Sequence, residues 1–213
     1  GKLTERSALA FATVLCILSM IVLVLLVNPL TAILTFVSLI GYAVVYTAWL
    51  KRATPQNIVI GGAAGAAPPV LGWTAVTNQV EAGALLMFLI IFVWTPPHFW
   101  ALAIARKEEY AKVDIPMLPV THGEAYTRLN ILLYTILLLL VTILPYLIGM
   151  SGIIYLFTAA ALNAYFLYCA IQMCRSSDDI ELPMKTFKYS ISYLGFLFCA
   201  LLIDHYLLLQ ISF

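Results

Sequence analysis

Seven stretches of this chain are each long and apolar enough to cross a bilayer. They lie at 8–27, 30–50, 57–75, 83–105, 129–149, 152–174 and 189–211. A helix needs about 20 mostly apolar residues to span the hydrocarbon core. In lipid every backbone polar group must be satisfied within the segment, so helices are expected rather than open sheets. The residues left over are too few for a separate soluble domain. The expected fold is therefore all-α: a polytopic helical bundle of seven transmembrane helices, one domain over residues 1–213. Composition agrees, with 63% hydrophobic and 10% charged residues, where soluble domains run nearer 45–50% and about 25%.

Net charge is +1, which gives no electrostatic case for nucleic acid; the expected surroundings are the lipid bilayer. Distribution says more. Threaded through seven spans, all of Lys2, Arg6, Lys51, Arg52, Arg106, Lys107, Lys112, Arg128, Arg175, Lys185 and Lys188 fall on one side. The opposite loops, near Asn28, 77–82 and 150–152, carry no Lys or Arg. Such bias marks the cytoplasmic face. The expected setting is the inner, cytoplasmic membrane, with the first residue of the chain inside and the last outside. Cys16, Cys169, Cys174 and Cys199 sit within or at the ends of apolar spans with no Cys-x-x-Cys spacing, which reads as small buried side chains rather than a redox or metal site.

Two spans depart from plain lipid-facing helices. The third, 57–75, is rich in small residues and broken by Pro68-Pro69. Gly61 and Gly65 have the small-xxx-small spacing of closely packed helices, so tight packing, cavity lining or both are expected there. The fourth holds Trp94-Thr95-Pro96-Pro97-His98-Phe99-Trp100. A mid-membrane histidine beside two prolines has three readings: a ligand for haem iron, a proton relay, or a buried histidine bonded to a carbonyl freed by Pro96 or Pro97. Asn163 and the Asp204-His205 pair are further polar residues within spans. Tyr42, Tyr46 and Trp49 share a face at α-helical spacing, which more often means core than ligand site.

The loop 106–128 mixes acids with bases: Arg106, Lys107, Glu108, Glu109, Tyr110, Lys112 and Asp114 fall within nine residues. Glu108 and Lys112 are partners at i, i+4 if the helix continues, and Pro116 ends any such helix. Hard oxygen ligands beside cations suit a magnesium–phosphate complex. A solvated juxtamembrane loop is the other reading.

Together these segments resemble the haem O synthases, a group within the UbiA-type intramembrane prenyltransferases. The runs that carry the resemblance are Asn57-Ile58-Val59-Ile60-Gly61-Gly62 with Pro68-Pro69 and Gly72-Trp73, and Thr95-Pro96-Pro97-His98-Phe99-Trp100-Ala101-Leu102-Ala103. Ile115-Pro116-Met117-Leu118-Pro119-Val120 and Ser190-Ile191-Ser192-Tyr193-Leu194 follow in the family's order. The resemblance implies nine helices around a central cavity. It also implies transfer of a farnesyl group from farnesyl diphosphate to a vinyl group of protohaem IX, assisted by Mg2+, to give haem O. It makes Glu108, Glu109, Tyr110 and Asp114 the catalytic candidates, with Glu109 and Asp114 as metal ligands. Arg106, Lys107 and Lys112 become diphosphate contacts, and His98 the haem contact. Haem A synthase or haem–copper oxidase assembly factors are the partners it suggests.

The family's first acidic motif has no counterpart here, since Asp occurs only at 114, 178, 179 and 204. The expectation is a chain lacking the first two of nine helices. Glu108-Glu109-Tyr110 stands where the family has Asp-rich residues before Tyr, and Asp114 where haem O synthases carry Gly. A UbiA-type enzyme acting on an aromatic quinone precursor is the neighbouring alternative. A retinal protein or receptor is disfavoured by the N-terminus being inside and by the lack of a lysine deep in the last span. A transporter would place its broken helices at corresponding positions of two halves, whereas here the third and fourth spans are adjacent.

Overall fold

A computed structural model describes residues 4–112, 115–176 and 179–207. Among these the chain is helical throughout, with seven helical spans long and apolar enough to cross a membrane. It is a multi-pass membrane protein. α1 (Glu5–Leu26) starts on Thr4, whose hydroxyl accepts from Ser7 N at 3.3 Å. None of its side chains is buried, as suits a helix whose apolar faces meet lipid. α2 (Pro29–Ile40) has Pro in its first position, where no N–H is needed, and Asn28 as its cap. The Asn28 amide also donates to the Thr74 carbonyl at 2.8 Å, tying the turn to a later helix.

The second span then winds as a π-helix over Gly41–Leu50 and closes in α3 (Lys51–Ala53). The looser winding changes which residues share a face. Tyr42 and Tyr46 stack at 5.3 Å and both line one cavity that Trp49 does not reach, so the expected three-residue aromatic face is really a pair. The third span is broken as its prolines require, into α4 (Asn57–Gly65) and α5 (Pro68–Thr77). It runs antiparallel to α6 (Ala82–Ala105). A Cβ on Gly62 would lie 3.0 Å from Thr95 Cγ2, and one on Gly83 would lie 3.0 Å from the Trp73 ring. These two contacts fix the register along the whole pair.

α7 (Lys107–Lys112) and α8 (Leu118–Thr121) lie between the fourth and fifth spans. The bundle is completed by α9 (Glu124–Leu147), α10 (Ile153–Arg175) and α11 (Leu182–Leu207). α9 starts earlier than the apolar run suggests. So does α11, because Asp179 Oδ1 accepts from the backbone N–H groups of Glu181 and Leu182 at 3.0 and 3.1 Å and starts the helix there. This shortens the last loop at the end of the bundle that carries the Lys and Arg residues.

Two buried clusters hold the bundle. One, towards the uncharged end, packs Ile90, Leu138, Tyr155, Phe166, Tyr193 and Leu197. The other, at the charged end, packs Ile58, Trp100, Leu118, Ile131 and Met173. One set of buried polar groups is bonded across three helices. Tyr193 OH donates to Asn163 Oδ1 at 2.9 Å, Asn163 Nδ2 donates to Thr142 Oγ1 at 2.8 Å, and Tyr155 OH donates to the Thr142 carbonyl. Asn163 therefore joins α9, α10 and α11. Asp204 is buried and accepts from the backbone N–H of Gly152, the cap residue of α10. An acid at a helix N-terminus is stabilised there, which gives one oxygen of Asp204 a structural partner.

Candidate active site

α6 forms one wall of the site. Pro96 and Pro97 lie inside it without ending it. They remove the N–H donors that the carbonyls of Phe92 and Val93 would otherwise receive. His98 does not turn back to those carbonyls. Its Nδ1 lies 2.6 Å from Ser190 Oγ on α11, and Ser190 Oγ in turn donates to the Phe187 carbonyl at 2.6 Å. A hydroxyl has one proton, so the serine accepts from His98, and the imidazole proton sits on Nδ1. Nε2 then carries a lone pair, and it bonds to none of the described residues.

The ring is held on both faces and one edge. Trp94 stacks on it at 4.2 Å and Phe187 at 4.6 Å, with Phe99 edge-on at 4.8 Å. The Trp94 indole donates to the Ser190 carbonyl at 2.9 Å. Two bonds thus lock α6 and α11 at one level. His98 opens onto a cavity of about 440 Å3 walled by Tyr42, Tyr46, Ile58, Trp94, Gly61 and Gly65. A Cβ on Gly61 would come within 2.4 Å of the Tyr46 ring, while one on Gly65 would meet nothing within 4 Å. Gly61 is therefore small for close packing, and Gly65 is small beside open space. Both expectations for the third span hold, each at a different glycine.

At the charged end the loop is docked rather than loose. Tyr110 packs on the cluster around Trp100, and Met117 and Leu118 are buried in it. Arg106 pairs with Glu109 at 3.3 Å on the surface. Lys107 reaches Glu124 at 3.2 Å, and the other Glu124 oxygen takes Arg128 at 3.2 Å. Arg128, buried, also donates to the Met173 carbonyl at 2.8 Å. Glu108 and Lys112 are exposed, and the ion pairs of this loop are made by their neighbours instead. Asp114 lies outside the described residues. Among the described residues no group of three His, Cys, Asp or Glu side chains comes together to hold a metal ion. The loop residues thus gather at one end of the bundle, with Glu109 on Arg106 and Lys107 on Glu124.

The model of the UbiA prenyltransferase family matches residues 1–202. The chain belongs to the UbiA prenyltransferase family. Close relatives of this prenyltransferase include the protoheme IX farnesyltransferase of Alcanivorax borkumensis, 64% identical over 97% of this chain and 68% of its own length. That of Methylococcus capsulatus is 62% identical over 98% of this chain and 70% of its own length. A solved structure concerned with digeranylgeranylglyceryl phosphate synthase in membranes superposes with a TM-score of 0.82 at 20% identity, over 96% of this chain and 71% of that one; it supports the fold.

Two side chains of this prenyltransferase's site carried no assigned role in the sequence. Ser190 is 92 positions from the histidine it holds, and no local pattern links them. Glu124 did leave a signal, its i, i+4 spacing to Arg128, but its bond to Lys107 depends on how α7 folds back.

Proposed function

We infer that this chain transfers a farnesyl group from farnesyl diphosphate to a vinyl group of protohaem IX, giving haem O and diphosphate. The observation that carries this reading is identity of 62–64% across nearly the whole chain to proteins of that name. The cavity beside His98 supports it. Aromatic walls suit a flat apolar ring system, and a histidine with its Nε2 lone pair available is a ligand for haem iron.

The chemistry divides between the two regions. The bond between C1 of the farnesyl group and the diphosphate oxygen breaks, and its electron pair leaves with diphosphate. The vinyl π electrons form the new carbon–carbon bond, and the cation left beside the porphyrin takes up water, which then loses a proton. Charge building on the leaving group must be met by fixed opposite charge. Arg106, Lys107 and Lys112 are the cations for that task, and Lys107 must leave Glu124 to serve. Carboxylates fit Mg2+, which takes one or two of them per ion; Glu109 and Asp114, with Glu108 and Tyr110 beside them, would hold it, and it would supply further charge neutralisation. His98, fixed by Ser190, orients the acceptor. The one-sided Lys and Arg support a loop on the cytoplasmic face of the inner membrane, with the N-terminal end of this chain on the same side.

The test is diphosphate release by purified protein in lipid with magnesium. Farnesyl diphosphate alone should give little, and protohaem should raise release stoichiometrically with haem O. Stimulation by 4-hydroxybenzoate and not by protohaem would refute the reading in favour of a quinone-precursor enzyme.

A further inference from the structure

The cavity at His98, between the π-helix, α4 and α6, is the first of three in a row, and the other two follow the seam between α6 and α11. The second, about 300 Å3, shares Ile91 and Trp94 with the first and adds Leu194, Gly195 and Phe198. The third, about 550 Å3, shares Phe198 with the second and continues past Leu202 to His205. No charged side chain lines the second cavity. Its walls are aliphatic and aromatic, which suits an extended hydrocarbon and nothing ionic.

Length selects the occupant. Ser190 is level with His98, because their side chains bond. From Ser190 to Phe198 along α11 is about 12 Å, and from Ser190 to His205 about 22 Å, at 1.5 Å per residue. Three isoprene units have about twelve backbone bonds, which span roughly 14 Å at the reach of an extended chain. A fourth unit brings this to roughly 19 Å. A chain whose reacting end lies beside His98 therefore ends near Phe198 if it has three units, and must pass Phe198 into the third cavity if it has four.

We propose that the α6–α11 groove holds the distal end of the donor's isoprenoid chain, with Gly195 keeping the groove open and Phe198 setting its length. This rests on the prenyl-transfer reading above and adds the residues that choose among donors. Gly195 is the sensitive position. A Cβ there meets nothing within 4 Å, so a larger side chain enters the groove without clashing with the bundle. Phe198 is its counterpart, since shortening it joins the second and third cavities.

The experiment compares dimethylallyl, geranyl, farnesyl and geranylgeranyl diphosphates, by kcat/KM with protohaem and by binding of their thiodiphosphate analogues in the absence of acceptor. Gly195 lies about 7.5 Å along α11 from Ser190, beyond the roughly 5 Å reach of one isoprene unit and short of the reach of three. Gly195→Phe should therefore lower farnesyl kcat/KM and analogue binding by about tenfold or more while leaving dimethylallyl binding within about twofold, the scale on which apolar pockets discriminate by size. Phe198→Ala should raise geranylgeranyl use by about tenfold relative to farnesyl. Retained dimethylallyl binding shows that G195F is folded. If G195F leaves farnesyl binding unchanged, or weakens all four analogues alike, the groove does not hold the chain. If F198A leaves the preference among donors unchanged, Phe198 does not set length. Because binding is read without protohaem, a wrong acceptor would abolish only the turnover arm and leave the length test intact.

Discussion

Replacing Ser190 with Ala removes one hydroxyl from the α6–α11 junction and leaves the aromatic packing around His98 in place. The bond lost is the 2.6 Å contact to His98 Nδ1. A buried donor stripped of its acceptor costs about 1–3 kcal/mol, and the ring relieves this by moving its proton to Nε2. The protonated Nε2 has no lone pair for iron. If haem binding draws on that lone pair, the cost appears as a loss of about 5- to 140-fold in haem affinity, at 1.4 kcal/mol per factor of ten. The Trp94 and Phe187 rings still hold the imidazole plane, so the ring is not simply lost from the cavity. The assay is a haem titration followed by the Soret band, for wild type, Ser190→Ala, Ser190→Thr and His98→Ala. S190A should shift the band toward that of H98A, and S190T, which restores a hydroxyl, should move it back. A wild-type spectrum and affinity in S190A, alongside a changed spectrum in H98A, would refute the role assigned to the serine.

Two further outcomes follow from packing and charge. Gly61→Ala should lower thermal stability, by about 1–3 kcal/mol as for other overpacked sites, because its Cβ meets the Tyr46 ring at 2.4 Å; Gly65→Ala should be close to neutral, with nothing within 4 Å. Equal shifts in melting temperature would contradict the difference drawn between the two glycines. Glu124→Gln should cost about 1.5–3 kcal/mol, the range for hydrogen bonds to charged groups, since it takes a carboxylate from buried Arg128. Lys107→Met should cost less than about 1 kcal/mol, because that pair is partly solvated on both sides. A Lys107→Met variant as unstable as Glu124→Gln would mean that the loop, not Arg128, depends on Glu124.

The spans could be read from the sequence because apolar length is a local property, and the break at Pro68-Pro69 followed from proline's missing donor. Helix starts were harder. Leu182 begins α11 among polar residues because Asp179 caps it, and hydropathy does not register a cap. The face shared by Tyr42, Tyr46 and Trp49 was misjudged because spacing arguments assume 3.6 residues per turn, and this segment is wound more loosely. At the site, His98 stood out as an intramembrane ionisable residue, yet its partner on α11 did not, because serines are common and the pairing is made only by tertiary packing. The loop's acids and bases were visible as a group. Which cation pairs with which acid depends on where α7 docks, and so Lys107 and Glu124 were paired only by the fold.

The mass of the haem product bears most directly on the proposed reaction at this cavity. Purified protein in lipid would be given protohaem, carbon-13-labelled farnesyl diphosphate and magnesium, and the extracted haem weighed by mass spectrometry. The expected product is protohaem plus one labelled farnesyl group and one hydroxyl group, formed by wild type and strongly reduced in His98→Ala. Recovery of unmodified protohaem from wild type under conditions where farnesyl diphosphate binds would contradict it.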